Sequence, residues 1–274
     1  MSESFLITVS VWYRSKQDFA MLMKSIHRLF IRKELTEMSW SSTPTNSAHR
    51  FGSFAEYALA KENNIYFKPV NLSFQQTAAL PCAGDTALQA VRKAGKVQKG
   101  ERVLVIGASG GVGHFLVQIA KADGAHVTGV CSGRNVEMVR GLGADEVIDY
   151  NQTDYSKTGQ KWDVILDAAA SKSLWTMAGL LNPKGRYVNV GGDTLMHTLL
   201  WGAIVSAWTR KSLAMFMVAP GQQDMIQLKE LCEAGKVVPH IESVVPFSKL
   251  PEAIMHLETK RARGKTVIDV LSQE

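Results

Sequence analysis

The sequence predicts an α/β fold with a doubly wound parallel sheet, and two observations lead to that prediction. The first is the segment Val103–Ile106, whose four consecutive apolar, mostly β-branched residues are typical of a strand buried on both faces. It is followed by a glycine-dense turn and by an apolar stretch with helical spacing that begins near Val112. The second is the alternation of short apolar strands with helical segments between Val103 and Val190, which indicates parallel strands joined by crossover helices.

The turn after the first strand reads Gly-Ala-Ser-Gly-Gly-Val-Gly. Gly107 and Gly110 allow the backbone to turn sharply and to approach a pyrophosphate, and Gly113 allows the helix to pack closely on the strand. The first N–H groups of that helix and its dipole favour an anion. The spacing departs from G-x-G-x-x-G, and a plain structural turn is the alternative. We predict a dinucleotide site made by Gly107, Ser109, Gly110, Gly111, Val112 and Gly113.

The end of the second predicted strand, His126–Cys131, indicates which nucleotide binds. In NAD-binding units an Asp or Glu about 20 residues past the glycines accepts a hydrogen bond from the ribose 2′-hydroxyl. Here the strand is followed by Ser132 and Arg134, and no acid precedes Glu137. Ser132 and Arg134 would bind a 2′-phosphate, which a carboxylate would repel. The pattern favours NADPH over NADH, and a solvated loop arginine is the alternative.

Later segments place more strand ends at the same edge of the sheet. Glu146–Asp149, Trp162–Asp167 and Arg186–Val190 are predicted strands, while Ala83–Ala94 and Ser171–Leu181 are predicted helices. Ligands of doubly wound folds bind at the carboxyl ends of the strands. The glycine turn and the residues that follow these strands should therefore line one cleft.

Composition narrows the class of protein. A chain of 274 residues with 46% hydrophobic and 20% charged residues is an ordinary globular protein of one large or two smaller domains. The net charge of +6 suits an anionic cofactor, but no basic block with interleaved aromatic residues predicts nucleic acid as a partner. Three scattered cysteines indicate a reducing compartment, so we expect a cytoplasmic protein.

The strongly apolar segment Leu195–Trp208 is shorter than the ~20 residues that a bilayer span needs, so no membrane span is expected. A helix over the substrate cleft or at a subunit interface is the favoured interpretation, and association with a membrane surface is the minor one. No C-x-x-C cluster or paired histidines predict a metal site. No nucleophile–histidine set is visible either, so we assign no catalytic residue.

Five stretches together resemble a known family. Residues from about Phe51 to Val270 resemble medium-chain dehydrogenases/reductases, of the zinc-independent quinone-oxidoreductase branch that includes zeta-crystallin. By that resemblance we expect an incomplete or aberrant N-terminal catalytic domain, because the sequence of residues 1–50 does not show the family's pattern of short strands. The motifs that carry the resemblance are Phe51–Tyr57, Thr77–Pro81, Gly107–Gly113, Gly141–Tyr150 and Gly264–Ile268.

The resemblance implies further contacts with the cofactor. Tyr150 would lie beside the 2′-phosphate or adenine end, and Gly191 and Gly192 would let the backbone pass close to the nicotinamide. Phe216 and Met217 would fall in the segment that closes over the nicotinamide. A partly buried strand-end tyrosine, and core or dimer packing for Phe216 and Met217, remain open as alternatives.

The resemblance also implies a reaction, an assembly and a domain organisation. The reaction is reduction of a quinone or an α,β-unsaturated carbonyl by NADPH without zinc, and an edge strand at Ser212–Val218 would pair across a homodimer. The fold would be a Rossmann domain with remnants of a β-rich, GroES-like catalytic domain. We expect four segments: 1–50, unassigned; 51–82, partial GroES-like domain; 83–245, Rossmann NADPH-binding domain; and 246–274, return to the catalytic domain.

The sequence therefore supports two functional hypotheses. The first is a zinc-independent NADPH-dependent quinone or enone reductase. The second is a protein that holds NADPH but is catalytically impaired, because it lacks a complete substrate domain.

Overall fold

The computed structural model of the protein describes residues 38–41, 65–191, 195–216, 218–219, 221–259 and 261–270. Most of the predicted segment 1–50, part of the segment 51–82, and the predicted site residues Gly192 and Met217 lie outside these residues. The described strands are β1 (Met38–Ser41), β2 (Ile65–Phe67), β3 (Arg102–Ile106), β4 (His126–Cys131), β5 (Glu146–Asp149), β6 (Trp162–Asp167), β7 (Leu181–Asn189), β8 (Ser212–Met215), β9 (Ile241–Pro246) and β10 (Lys265–Asp269). The described α-helices are α1 (Phe74–Ala79), α2 (Ala83–Gln89), α3 (Gly113–Ala122), α4 (Val136–Gly141), α5 (Leu174–Leu180), α6 (Leu195–Thr209), α7 (Gln222–Glu233) and α8 (Leu250–Glu258).

Six strands form the central parallel sheet in the order β5-β4-β3-β6-β7-β8. The chain builds outward from β3 to β5 on one side and then returns to build β6 to β8 on the other. Because the strand order reverses between β3 and β6, the crevice at their carboxyl ends is the ligand position expected for this fold. The α/β prediction is confirmed.

The core lies on both faces of this sheet. Val103 and Val105 of β3 are fully buried against α2, α3 and α7, while Leu104 of the same strand belongs to a cluster on the opposite face with Trp162 and Met177. Strand side chains alternate between faces, so an uninterrupted apolar run such as β3 requires cover on both sides. The burial explains why β3 is apolar from Val103 to Ile106, while Arg102, at its half-buried first position, is not.

Helix α2 delivers the chain to the sheet, as predicted. It continues without a break as a π-helical turn over Ala90–Ala94 and ends at Gly95, so the predicted helix 83–94 is confirmed. Helix α1 begins with a capping box in which Ser73 accepts from the N–H of Gln76 and the Gln76 side chain accepts from the N–H of Ser73.

Two small sheets flank the central one. Strands β1 and β2 pair antiparallel, and β9 and β10 pair parallel. Strand β1 corrects the expectation that residues 1–50 hold no short strand, because Met38–Ser41 pairs with Ile65–Phe67, which lies beyond that segment. Strand β10 follows directly on a segment that contacts the glycine turn, since the N–H of Gly264 donates to the carbonyl of Ser109 at 2.8 Å. In the described part of the chain, no helix is both long and apolar enough to cross a membrane.

Candidate cofactor site

The glycine turn lies at the carboxyl end of β3, beside the reversal of strand order. Gly107 has φ +77, in the left-handed region that favours glycine. A Cβ on Gly113 would overlap the carbonyl oxygen of Gly107, so helix α3 begins in direct contact with the turn. The N–H of Gly110 donates to the same carbonyl at 3.0 Å. The backbone therefore requires glycine at 107 and 113, which is the structural role that the spacing predicts.

The turn holds free backbone donors. Among the residues that the structure describes, no acceptor is found for the N–H groups of Ser109, Gly111 and Val112. These groups precede the first turn of α3, where the helix dipole adds partial positive charge. Unpaired N–H groups at the start of a helix are the usual donors to a phosphate. The turn therefore fits a pyrophosphate.

A lysine distant in sequence covers this turn. Nζ of Lys265 lies 3.9 Å from the point where a Cβ on Gly111 would stand. Burial lowers the pKa of Lys265, and the interaction with nearby Cys82 partly offsets that shift. The backbone holds the lysine in place, because its N–H donates to the carbonyl of His240 at 2.9 Å. The sequence does not reveal Lys265 as a site residue, since nothing in the local pattern at Gly264–Ile268 shows that this strand begins against residue 111.

His114 maintains the shape of the turn. Its ring is fully buried, and Nδ1 lies 2.9 Å from the carbonyl oxygen of Gly110. Burial lowers the pKa of His114 to about 4, so the ring is neutral near pH 7 and Nδ1–H donates to that carbonyl. His114 therefore fixes the backbone of Gly110 and contributes no charge to the site.

One asparagine connects the two predicted serines. Nδ2 of Asn135 donates to Oγ of Ser109 at 2.9 Å and to Oγ of Ser132 at 3.1 Å. Because each hydroxyl oxygen accepts from Asn135, each hydroxyl hydrogen is left to donate elsewhere. The structure thus brings Ser109 and Ser132 together across the ends of β3 and β4. Asn135 was not predicted as a site residue, although it follows Arg134 directly.

The predicted 2′-phosphate residues lie beside this pair. Arg134 is exposed, and one guanidinium N–H donates to the carbonyl of Arg261 at 2.7 Å, which anchors the side chain and leaves other donors. Tyr150 is 56% exposed, and its N–H donates to the carbonyl of Cys131 at 3.0 Å. An acid also lies close by, since an Oδ of Asp149 is 2.5 Å from the point where a Cβ on Gly133 would stand.

The opposite end of the cleft is built by the turns after β6, β7 and β8. Both Oδ atoms of buried Asp167 are occupied, one by the N–H groups of Ala169 and Ala170 at 3.0 and 2.7 Å, the other by the Tyr187 hydroxyl at 3.2 Å. Burial raises the pKa of Asp167 and of Tyr187. Asp167 therefore shapes the turn that lies against Gly107.

Gly191 and Phe216 adjoin that turn. The N–H of Gly191 donates to Oδ1 of Asn189 at 3.2 Å, and the N–H of Phe216 donates to the carbonyl of Asn189 at 3.1 Å. The Phe216 side chain is half-buried and packs against the main core cluster. Both residues thus leave the sheet at the carboxyl ends of their strands.

Within the described residues, no group of three or more His, Cys, Asp or Glu side chains is arranged to hold a metal ion. The three cysteines are free thiols. A catalytic residue stays unassigned, as it is after sequence analysis.

Comparison with known proteins gives the family. Residues 142–268 match the family described as zinc-binding dehydrogenase. The chain is 36% identical over 265 residues to "NAD(P)H oxidoreductase RTN4IP1, mitochondrial" of Bos taurus, which covers 85% of this chain and 64% of that protein. It is 35% identical over 228 residues to "Quinone-oxidoreductase homolog, chloroplastic" of Spinacia oleracea, covering 80% of this chain and 69% of that protein. The chain belongs to the medium-chain dehydrogenase/reductase superfamily.

A solved structure of this superfamily has the same fold. The quinone oxidoreductase from Coxiella burnetii superimposes with a TM-score of 0.69 at 29% identity, over 77% of this chain and 65% of that one. The chain spans only about two thirds of the length of the bovine relative, 64%. The family resemblance predicted from the five motifs is confirmed.

The expectation of a cytoplasmic protein is wrong. The bovine relative is mitochondrial and the spinach relative is chloroplastic. The expectation depended on three scattered cysteines, and a low cysteine count shows only that no disulfide framework is needed. Such a count does not distinguish the cytosol from the interior of an organelle.

Proposed function

We propose that this chain binds NADPH at the carboxyl ends of β3 and β4 and reduces a quinone or an α,β-unsaturated carbonyl compound by hydride transfer. The observation that carries the proposal is the glycine turn, whose free amides lie at the reversal of strand order with Lys265 over Gly111. The names of the bovine and spinach relatives support an oxidoreductase that uses NAD(P)H or quinones.

In this mechanism the bound dinucleotide supplies the hydride, and the protein supplies position and electrostatics. The free amides of Ser109, Gly111 and Val112 would bind the pyrophosphate, and the Lys265 ammonium would add a compensating charge. The backbone at Gly191 and Phe216 would border the nicotinamide. When a quinone or enone accepts hydride, negative charge develops on its carbonyl oxygen, which then takes a proton from solvent or a weak acid.

The choice of NADPH depends on the phosphate end of the site. Arg134 and the hydroxyls of Ser109 and Ser132 offer donors to a 2′-phosphate. The negative Asp149 carboxylate would repel the 2′-phosphate. One of its oxygens, however, accepts hydrogen bonds from the N–H and Nδ2 of Asn151 at 3.0 Å each. NADPH is therefore the proposed cofactor, with Tyr150 beside its adenine end.

Zinc independence is part of the proposal, although the matched family is described as zinc-binding. It rests on the sequence, which lacks a C-x-x-C cluster. The family resemblance also implies that Ala83 stands where zinc-dependent relatives carry a ligand. Elemental analysis of the purified chain should find far less than one zinc per chain. A stoichiometric zinc content would move the proposal toward an alcohol dehydrogenase.

The second candidate is a protein that binds NADPH with weak turnover. The observation that favours it is the sequence of residues 1–50, in which the pattern of short strands that the family resemblance leads us to expect for part of the cleft wall is not recognisable. The same two assays distinguish the candidates: NADPH binding by calorimetry, and NADPH consumption with a panel of quinones and enones. Absence of NADPH binding would refute both candidates.

A homodimer is the proposed assembly. β8 is an edge strand, and no strand of the described part of the chain pairs with its outer side. An unpaired edge is a ready site for a second copy. Sedimentation at micromolar concentration should give the mass of two chains, and a monomer would refute the pairing.

A further inference from the structure

The loop after β8 is tied to helix α2 by one buried side chain. Gln89 ends α2 and is 2% exposed, and its Nε2 donates to the carbonyl of Ala219 at 2.7 Å. The N–H of Ala219 donates back to Oε1 of Gln89 at 3.1 Å. Gln89 thus pairs with both backbone groups of Ala219, as a neighbouring strand would.

Asp85 fixes the orientation of that amide. It lies one turn earlier on α2, is 2% exposed, and its Oδ1 accepts from Nε2 of Gln89 at 2.8 Å. If the amide were flipped, Oε1 would face two acceptors, the Asp85 carboxylate and the Ala219 carbonyl. Only one orientation is therefore stable, and it offers Ala219 one donor and one acceptor.

The charges around Asp85 come from α2 and α7. Asp224 on α7 is 3% exposed and accepts from Nζ of Lys93 at 2.6 Å. Burial is the main effect that raises the pKa of Asp85, to about 6. The hydrogen bond from Gln89 and the charge of Lys93 lower this pKa, while the charge of Asp224 raises it. Asp85 is therefore largely a carboxylate at pH 7.5, where it acts only as an acceptor.

The tied loop lies at the ligand edge of the sheet. Phe216 follows β8 and is bonded to the carbonyl of Asn189, two residues before Gly191. The chain then reaches Ala219, where Gln89 holds it, before α7 begins at Gln222. The loop between β8 and α7 is therefore fixed at two points, at Phe216 by Asn189 and at Ala219 by Gln89.

We propose that Gln89 is a positioning residue that holds the Phe216 and Ala219 backbone beside the nicotinamide half of bound NADPH. The inference rests on the proposed function, because that function places NADPH in the cleft. Gln89 acts through Ala219 and contacts no reacting atom. Its removal should weaken binding of the nicotinamide half and leave the adenine half unchanged.

The test compares two ligands on the folded chain. They are NADPH and 2′-phospho-ADP-ribose, which is NADPH without the nicotinamide ring. Gln89→Met keeps the side-chain length and removes the amide. We expect its Kd for NADPH to rise about 3- to 10-fold, the equivalent of one hydrogen bond, with less than about 2-fold change for 2′-phospho-ADP-ribose. Hydrogen exchange of the peptide containing Ala219 should become faster.

Gln118→Met is the matched control. Gln118 makes the same two-way pairing with a distant backbone: Nε2 donates to the Val238 carbonyl at 3.0 Å and the Val238 N–H donates to Oε1 at 2.8 Å. It is also buried, and its Nε2 donates to the carbonyl of His114 at 2.9 Å. Gln118→Met should therefore lose a comparable amount of stability without changing the ratio of the two Kd values or the exchange at Ala219.

The outcomes separate the two hypotheses. If the unmodified chain binds neither ligand, the proposed function fails and the positioning role fails with it. If the unmodified chain binds NADPH but Gln89→Met weakens both ligands equally or neither, the positioning role alone is overturned. Should Gln89→Met fail to fold, Gln89→Asn keeps an amide but is one methylene too short to reach both groups of Ala219, and it must show the same selective loss.

Discussion

Asn135 shows how single residues prepare the phosphate end of the site. It holds the oxygens of Ser109 and Ser132 and thereby frees both hydroxyl hydrogens for another acceptor. Its own Oδ1 is buried and has no partner among the described residues. A buried polar atom without a partner costs free energy, so this arrangement is retained at the expense of stability. The orientation of two hydroxyls toward an anion would account for that expense.

Arg134→Ala should separate the two nicotinamide cofactors. A hydrogen bond to a charged group contributes about 1.5–3 kcal/mol, so affinity for NADPH should fall roughly 10- to 100-fold. Affinity for NADH, which has no 2′-phosphate, should hardly change. Titration of both cofactors by calorimetry measures the difference. Arg140→Ala serves as the control, because Arg140 pairs with Glu137 on the surface of α4. Equal losses for NADPH and NADH would show that Arg134 does not bind the 2′-phosphate.

At the scale of elements, the junction of β3 with α3 determines the site. The helix can begin only where residue 113 has no side chain, because the Gly107 carbonyl occupies that position. This contact places the free amides of the turn at the start of the helix. A shift of α3 would therefore move the pyrophosphate donors as a set.

Gly113→Ala tests this junction. The added Cβ would overlap the Gly107 carbonyl, so the helix or the turn must move, and overpacking of this kind costs about 1–3 kcal/mol. We expect a lower Tm and loss of NADPH binding together. Gly141→Ala on α4 is the matched control, since nothing lies within 4 Å of its added Cβ. It should leave binding intact and be neutral or stabilising. Normal NADPH binding by Gly113→Ala would contradict the close approach.

The α2–α7 interface should make stability depend on pH. Burial raises the pKa of Asp85 from 3.8 to about 6, so the folded chain binds that proton more tightly than the unfolded chain does. The free energy of unfolding therefore falls as pH rises from about 4 to about 6 and stays lower above that range. Two pKa units correspond to about 3 kcal/mol. Asp85→Asn should be more stable than the unmodified chain at pH 7.5 and equal to it near pH 4, by urea denaturation.

Asp154→Asn should change the free energy of unfolding at neutral pH in the opposite direction to Asp85→Asn. The Lys172 ammonium and the Ser156 hydroxyl and N–H hold the pKa of Asp154 well below its usual range. This variant should lose stability at neutral pH and converge with the unmodified chain in acid. For the Asp85 prediction, the contradicting outcome is a constant difference in free energy of unfolding between Asp85→Asn and the unmodified chain from about pH 4 to pH 7.5. That result would show that Asp85 does not titrate in this pH range.

At the scale of the whole molecule, sequence predicted what is local and missed what is distant. The β3 strand, the glycine turn and the helix from 83 to 94 each have a short-range pattern, and the structure confirms them. Lys265 over Gly111 and Gln89 against Ala219 join residues far apart in the chain. Their local sequences predict a last strand and the interior of a helix, and only the folded sheet brings them to the cleft. Compartment was predicted wrongly because cysteine content carries little information about it.

The last prediction concerns binding and turnover in this chain. The described residues contain the pyrophosphate site, the serines with Asn135, and Arg134, so NADPH should bind. Catalysis also needs nicotinamide and substrate held about 3–3.5 Å apart in a dry cleft, and a misplacement of about 1 Å can cost 10²-fold in rate. The resemblance assigns part of that cleft wall to residues upstream of Phe51, where the family's strand pattern is not recognisable in the sequence and the structure describes β1 (Met38–Ser41).

We therefore expect measurable NADPH binding with weak or absent turnover in the purified chain of 274 residues. The measurement is steady-state NADPH consumption with quinones and enones, beside calorimetric titration of NADPH on the same preparation. An active quinone oxidoreductase assayed in parallel is the control for the substrates. A kcat near the ordinary enzyme median of about 10 s⁻¹ would contradict the expectation, because it would require residues 1–50 to complete the cleft.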